Sequence, residues 1–190
     1  MSVDSTRLRI YHTEPSSRSN GPGWRAVIWL QGCTLGCPGC FNPETHPLET
    51  TRIARIDELT DWVLPLSGKI EGLTISGGEP LQQITGLLSF LERIRRISDL
   101  SIILFSGYTW MEIQKMPRSG GLLSSIDVLL AGRYNPNRRL ARSLVGSKNK
   151  SVHFLTDRYS QADLNAVPEA EVIVTDHGEI IFSGINPLKW

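Results

Sequence analysis

At 190 residues the chain has the size of one domain and can bury a sizeable core without staples. A formal net charge of +1 points to neither a nucleic acid nor a membrane surface as partner. All three cysteines fall inside eight residues, which leaves no disulfide framework and makes a reducing cytoplasm the expected compartment; no apolar run is long enough for a signal sequence or a membrane span.

In chain order, residues 7–12 read as a short strand and the polar stretch that follows, ending in Gly21-Pro22-Gly23, as loop. Residues 7–23 are thus expected to form an N-terminal extension to a single domain spanning residues 1–190. Residues 24–30 are β-branched and aromatic, and almost continuously apolar from Ala26, as a strand covered on both faces would be. The loop that leaves this strand carries Cys33, Cys37 and Cys40. After a polar, proline-rich stretch, residues 56–66 place Leu59, Trp62, Val63 and Leu66 on one helical face, with Asp57 and Glu58 in the first turn. A strand at 72–75 runs into Ser76-Gly77-Gly78-Glu79-Pro80, and a helix from Leu81 to about Ile97 buries Leu81, Ile84, Leu87, Leu88, Leu91 and Ile94. The pattern then repeats: a strand at 101–105, the turn Ser106-Gly107-Tyr108, and a helix whose Thr109 and Glu112 have capping-box spacing, closed by residues 117–121. A fourth apolar strand at 126–130 precedes the loop 131–136, and a weaker strand is expected at 152–155. A short helix near 161–165 and a hairpin within 168–184, turning around Asp176-His177-Gly178, complete the chain.

Strands alternating with helices imply an α/β fold, a partial (β/α) barrel of mostly parallel strands with a C-terminal β-hairpin. Sites in such sheets form where strands end, so four loops should open on one face: the cysteine loop, 76–80, 106–108 and 131–136.

Three thiols spaced Cys-x3-Cys-x2-Cys can ligate three irons of a four-iron cluster and leave the fourth without a protein ligand. A structural zinc completed by His46, or a redox thiol site, is the competing reading. The spacing is looser than paired Cys-x2-Cys knuckles, and Gly36, Pro38 and Gly39 suit a loop wrapped around either metal. Gly77 and Gly78 allow close approach to the backbone, and Glu79 can accept bonds from an ammonium or hydroxyl. A plain turn followed by a first-turn acid is equally open on those residues alone.

The cysteine spacing together with Ser76-Gly77-Gly78-Glu79-Pro80 resembles the radical S-adenosylmethionine superfamily. The strings Asn20-Gly21-Pro22-Gly23-Trp24-Arg25, Gln31-Gly32-Cys33, Cys37-Pro38-Gly39-Cys40-Phe41-Asn42-Pro43-Glu44-Thr45 and Ser106-Gly107-Tyr108-Thr109-Trp110 are similar to those of glycyl-radical activating enzymes, above all the activating proteins of anaerobic ribonucleotide reductases. The resemblance implies a [4Fe-4S] cluster on Cys33, Cys37 and Cys40, whose open iron chelates S-adenosylmethionine; reductive cleavage then gives methionine and a 5'-deoxyadenosyl radical. It further implies that Gly77, Gly78 and Glu79, opened by Ser76, receive the methionine ammonium, that Phe41 lies near the adenine, and that Ser106 lies near the cofactor. The implied partners are a large glycyl-radical enzyme, whose glycine Cα loses a hydrogen, and a flavodoxin- or ferredoxin-type reductant.

The chain departs from the family after residue 126. Ala131-Gly132 stands where an Asp-Gly pair is usual, and Val145-Gly146-Ser147-Lys148-Asn149-Lys150 replaces an Arg-Gly-Ser-x-Asn-Gln string. That altered stretch keeps open a small-molecule or peptide substrate, as in deazapurine-forming or peptide-modifying relatives; a metal-binding module without catalysis is the third reading. Residues 128–156 also hold no acid but carry Arg133, Arg138, Arg139, Arg142, Lys148 and Lys150, either a solvated face or a docking patch. His12, His46, His153 and His177 are scattered and read as bland, and Trp110 as packing beside the cofactor loop.

Overall fold

The computed structural model describes residues 6–49, 52–174 and 177–185. Its elements in order are β1 (Arg7–Ser17), β2 (Arg25–Leu30), β3 (Ile53–Arg55), α1 (Ile56–Val63), β4 (Gly72–Gly77), α2 (Ile84–Ile97), β5 (Ser101–Phe105), α3 (Trp110–Gln114), α4 (Ser119–Ser124), β6 (Val128–Ala131), β7 (Arg139–Arg142), β8 (Val145–Ser147), β9 (Ser151–Phe154), α5 (Gln161–Asn165), β10 (Glu171–Val174) and β11 (Ile180–Ser183). Seven strands form one open sheet in the order β3-β1-β2-β4-β5-β6-β9, and β7-β8 and β10-β11 are separate two-stranded ribbons. The four central strands β2, β4, β5 and β6 run parallel; β1 and β9 pair antiparallel with the two outer ones, and β3 pairs antiparallel with β1. This is the expected partial barrel, with antiparallel pairing on either side of the parallel strands.

Alternation along the strands sorts side chains into two layers. Ala26, Ile28 and Leu30 of β2, Leu73 and Ile75 of β4, Ile102 and Leu104 of β5, and Leu129 and Ala131 of β6 join the large core beneath the helices. Their neighbours point to the other face, the barrel interior. Near the starts of the strands that interior is plugged by Arg25, which is fully buried. Its guanidinium donates to Thr74 Oγ1 (2.9 Å), Ser101 Oγ (2.9 Å), the Leu73 carbonyl (2.6 Å) and Tyr159 OH (3.1 Å). A buried charge is tolerated only with such a full set of partners. The cavity described below lies at the other end, where the strands finish.

The elements differ from expectation in detail. The first strand runs over residues 7–17, longer than the expected 7–12, and its Leu8 and Ile10 are buried in the core that α2 covers. Gly86 lets α2 close on that strand, since a Cβ there would meet the Arg7 carbonyl. Residues 119–124 form α4 where the two glycines suggested only a turn: tertiary packing of buried Leu122 outweighs glycine's poor helix propensity. The ribbon β7-β8 lies between the expected loop 131–136 and the expected strand 152–155, where no element was expected. Its two-residue turn puts Ser143 and Leu144 at φ 52° and 66°, where Asn-Gly is the usual choice, so the sequence carries no turn signal. The C-terminal hairpin forms as expected; Asp176 of its turn lies outside the described residues.

Candidate active site

The cysteine loop leaves β2 and is laced to its surroundings through the backbone. Gly32 N–H donates to the Thr45 carbonyl (2.8 Å), Cys33 N–H to the His46 carbonyl (3.0 Å), and Cys40 N–H to the Cys37 carbonyl (3.2 Å). Gln31 Nε2 ties the returning chain at Pro47 (2.7 Å), and the Gln82 side chain brackets Thr34 from the other side, accepting from its N–H (3.1 Å) and donating to its hydroxyl (2.7 Å). Gly36 and Gly39 turn the loop with φ of 59° and 64°, which a side chain would strain. The three thiols are free and half-buried on the wall of a cavity of about 710 Å³. Burial pushes the Cys33 and Cys40 thiols up, so they ionise readily only beside a cation. Among the described residues no three His, Cys, Asp or Glu side chains are gathered to hold a single metal ion.

Gly77-Gly78-Glu79 lies against the stem of that loop, and this changes the reason for its glycines. A Cβ on Gly77 would strike the Leu30 backbone and lie 2.8 Å from the Trp29 carbonyl carbon; one on Gly78 would strike the Gly32 oxygen and lie 2.8 Å from its carbon. Gly78 N–H donates to Leu30 O (2.8 Å) and Glu79 N–H to Gly32 O (2.9 Å). The glycines are thus required for the cysteine loop to pack on β4, whatever approaches from the cavity. Glu79 is 1% exposed, and its Oε1 accepts from Leu81 N–H and Ser106 Oγ–H (both 2.9 Å) while Oε2 accepts from Gly107 N–H (2.7 Å). Burial pushes its carboxyl up, and these three donors pull the other way. A carboxylate has about four acceptor positions, so one on Oε2 is left.

The wall across from β4 comes from the loops after β5 and β6 and from β8. Phe41 packs on Tyr134 with ring centroids 4.6 Å apart, under the Arg139 guanidinium at 5.1 Å, and Gly146 makes room for its ring. Trp29, Ser76 and Phe105, inward positions of β2, β4 and β5, form the floor. His12 and Glu14 of β1, Asn20, and Ile173, Ile181 and Phe182 of the hairpin close the remaining side. The hairpin is moored there by Glu171, which accepts from the Ser17 hydroxyl, Arg18 N–H (2.8 Å) and the Ser19 hydroxyl (2.9 Å).

Cys33, Cys37, Cys40, Phe41, Ser76, Gly77, Gly78, Glu79 and Ser106 all line this single cavity. Sequence reasoning missed Lys150, Tyr134, Asn20 and the hairpin's apolar face, and it passed over His12 and His46, which also line it. Asn20 stood in a quoted motif without a role, Tyr134 in a loop expected on this face and Lys150 in the basic run; none of them was singled out for the cavity, because they arrive from distant segments. The basic run resolves into distinct fates. Arg133 pairs with Glu112 (2.8 and 3.0 Å), Arg139 covers Phe41, Lys150 turns inward, and Arg138, Arg142 and Lys148 stay exposed. His153 stacks on Trp110 at 4.2 Å, away from the cavity lining.

A family model described as "4Fe-4S single cluster domain" matches residues 19–153. The chain is 30% identical over 155 residues to the anaerobic ribonucleoside-triphosphate reductase-activating protein of Enterobacteria phage T4, across 78% of this chain and 94% of that one. The protein of the same name from Haemophilus influenzae is 32% identical over 151 residues, 73% of this chain and 93% of its own. A pyruvate formate-lyase-activating enzyme from Staphylococcus epidermidis shares 37% over 90 residues, 45% of this chain and 34% of that enzyme. Among solved structures, QueE from Escherichia coli overlays 54% of this chain and 53% of its own with a TM-score of only 0.45 at 19% identity.

Proposed function

This chain belongs to the radical S-adenosylmethionine activases, and we propose that in it Cys33, Cys37 and Cys40 hold the [4Fe-4S] cluster while the walls of the cavity bind S-adenosylmethionine. When bound, the cluster supplies one electron to break the cofactor's sulfur–carbon bond, and so provides a carbon radical able to take hydrogen from substrate. The observation that carries the reading is the meeting of three half-buried thiols and a buried carboxylate with one spare acceptor in a single cavity, where four parallel strands end.

The rest is work for this chain's own groups. Glu79, fixed by three donors, accepts from the cofactor's ammonium on Oε2 without having to move. Phe41, held between Tyr134 and Arg139, offers an aromatic face to the adenine. Ser106 stays engaged with Glu79, which makes it a positioning residue. Ile173, Ile181 and Phe182 keep water from the reacting atoms on the hairpin side. The hydrogen donor is a glycine Cα on a loop of a large glycyl-radical enzyme, and the electron comes from a flavodoxin- or ferredoxin-type protein. No helix among the described residues is long and apolar enough to cross a membrane, and we place the protein in the cytoplasm as a single domain.

Anaerobic reconstitution with iron and sulfide, followed by reduction with S-adenosylmethionine present, should release 5'-deoxyadenosine. Adding the partner enzyme should then give a glycyl-radical signal by electron paramagnetic resonance. Absence of deoxyadenosine from a loaded, reduced protein would overturn the catalytic reading; deoxyadenosine without a protein radical would overturn the partner.

A further inference from the structure

Glu14, Glu44 and Glu79 line the cysteine cavity, and Lys150 is the one lysine or arginine that does so among the described residues. It also lines a second, outer cavity of about 610 Å³ together with Arg142, Lys148 and Gln161, so its side chain forms part of the partition between the two. Its ammonium donates to the Gly132 carbonyl and lies 3.5 Å from the Ser106 carbonyl, at the ends of β6 and β5. No carboxylate forms an ion pair with it among the described residues. The charges it faces are those of Glu79, Cys37 and Cys40.

The position is firmly built. Lys150 N–H donates to the Ser147 carbonyl (3.0 Å), the neighbouring Asn149 side chain donates to the Arg133 carbonyl (2.8 Å), and the next residue pairs with Ala131 across β6-β9. Gly132, at φ 118°, lies so close that a Cβ would come 3.3 Å from the Lys150 Cα. A partly buried cation held only by two carbonyls is costly unless an anion answers it. Glu79 and the sulfurs of the cluster loop line the same cavity, and the answering negative charge comes from there.

We propose that Lys150 sets the reduction potential of the cluster, holding it higher than the surrounding carboxylates alone would allow. This rests on the cluster being bound at Cys33, Cys37 and Cys40. In the step concerned the cluster gains one electron from a low-potential one-electron donor of the flavin or iron–sulfur class; no bond to Lys150 forms and no proton moves. The site's charge becomes more negative by one, and a fixed positive charge on the wall favours that state. Lys150 is therefore a positioning charge rather than a catalytic residue.

The test is a redox titration of the reconstituted full chain, read by visible absorbance and electron paramagnetic resonance, with dithionite as electron source. Lys150→Gln should make the reduction equilibrium about tenfold less favourable, a fall of about 59 mV for a one-electron couple, and Lys150→Arg should keep the wild-type potential. Lys150→Met, which retains the stem, serves if the glutamine variant does not load. An unchanged potential in the neutral variants, an arginine variant that shifts as far as they do, or loss of the cluster from both neutral variants with the fold intact would each overturn the inference. A wild-type protein that takes up no four-iron cluster would instead overturn the cluster site itself, and the inference with it.

Discussion

Replacing Gly78 by alanine should disrupt the stem of the cysteine loop before any cofactor is involved. The new Cβ would strike the Gly32 oxygen and lie 2.8 Å from its carbon and 3.0 Å from its nitrogen, whereas carbon atoms rest about 3.5–4.0 Å apart. Both partners are backbone, so no rotamer change relieves the clash, and β4 must part from the loop by about 1 Å. Overpacking of this kind costs about 1–3 kcal/mol. The bonds from Gly78 N–H to Leu30 O and from Glu79 N–H to Gly32 O span the same gap, and weakening each adds about 0.5–1.5 kcal/mol. The total is about 2–6 kcal/mol, and for a chain of this size each kcal/mol moves the melting temperature by about 2–4 °C. Thermal unfolding of the cofactor-free protein, followed by circular dichroism, should therefore shift down by about 4–24 °C. Gly78 is the better probe of the pair because its φ is not left-handed, whereas Gly77 at φ 100° would add backbone strain. A Gly78→Ala protein that melts with the wild type and fails only to bind cofactor would refute the packing account.

Two further outcomes follow from the buried and exposed charges. Asp127 is 3% exposed; burial pushes its carboxyl up, but Ile102 N–H (2.7 Å), Arg95 (2.7 Å) and Thr156 (2.8 Å) outweigh this and hold it below its ordinary 3.8. A depressed folded value means stability that is present above pH 3.8 and lost as the pH falls through the lower folded value. Asp127→Asn should cost about 3–5 kcal/mol at neutral pH by removing the charge that answers Arg95 and should flatten the acid limb of the stability curve; an unfolding free energy that falls as far between pH 6 and pH 3 in the variant as in the wild type would count against it. Reversing charge at exposed Arg138 and Lys148 should slow radical transfer to the partner by about tenfold at low salt while leaving partner-free deoxyadenosine release alone. Equal transfer rates for variant and wild type would make that face simply solvated.

The nine candidate residues were legible because each sits where a predicted strand ends. A parallel sheet carries its strand ends to one face, so local reading of strands and loops was enough to collect Cys33, Glu79 and Ser106 in one place. The three-cysteine spacing is likewise read without any knowledge of the fold. The reason for Gly77 and Gly78 could not be read locally: a glycine that admits a ligand and a glycine that admits a neighbouring backbone look the same in sequence, and only the approach of Gly32 separates them. Lys150 was hidden for a similar reason. It belongs to a run of basic residues whose fates depend on what each meets in space, Glu112 for Arg133, the Phe41 ring for Arg139, and the cysteine cavity for Lys150. The sequence by itself thus determined the grouping of the three cysteines and the face on which they gather with Glu79, since both follow from spacing and strand order. Which charge looks into the site, and what closes its far side, were decided by the tertiary structure, because β9 and the hairpin reach the cavity from segments far along the chain.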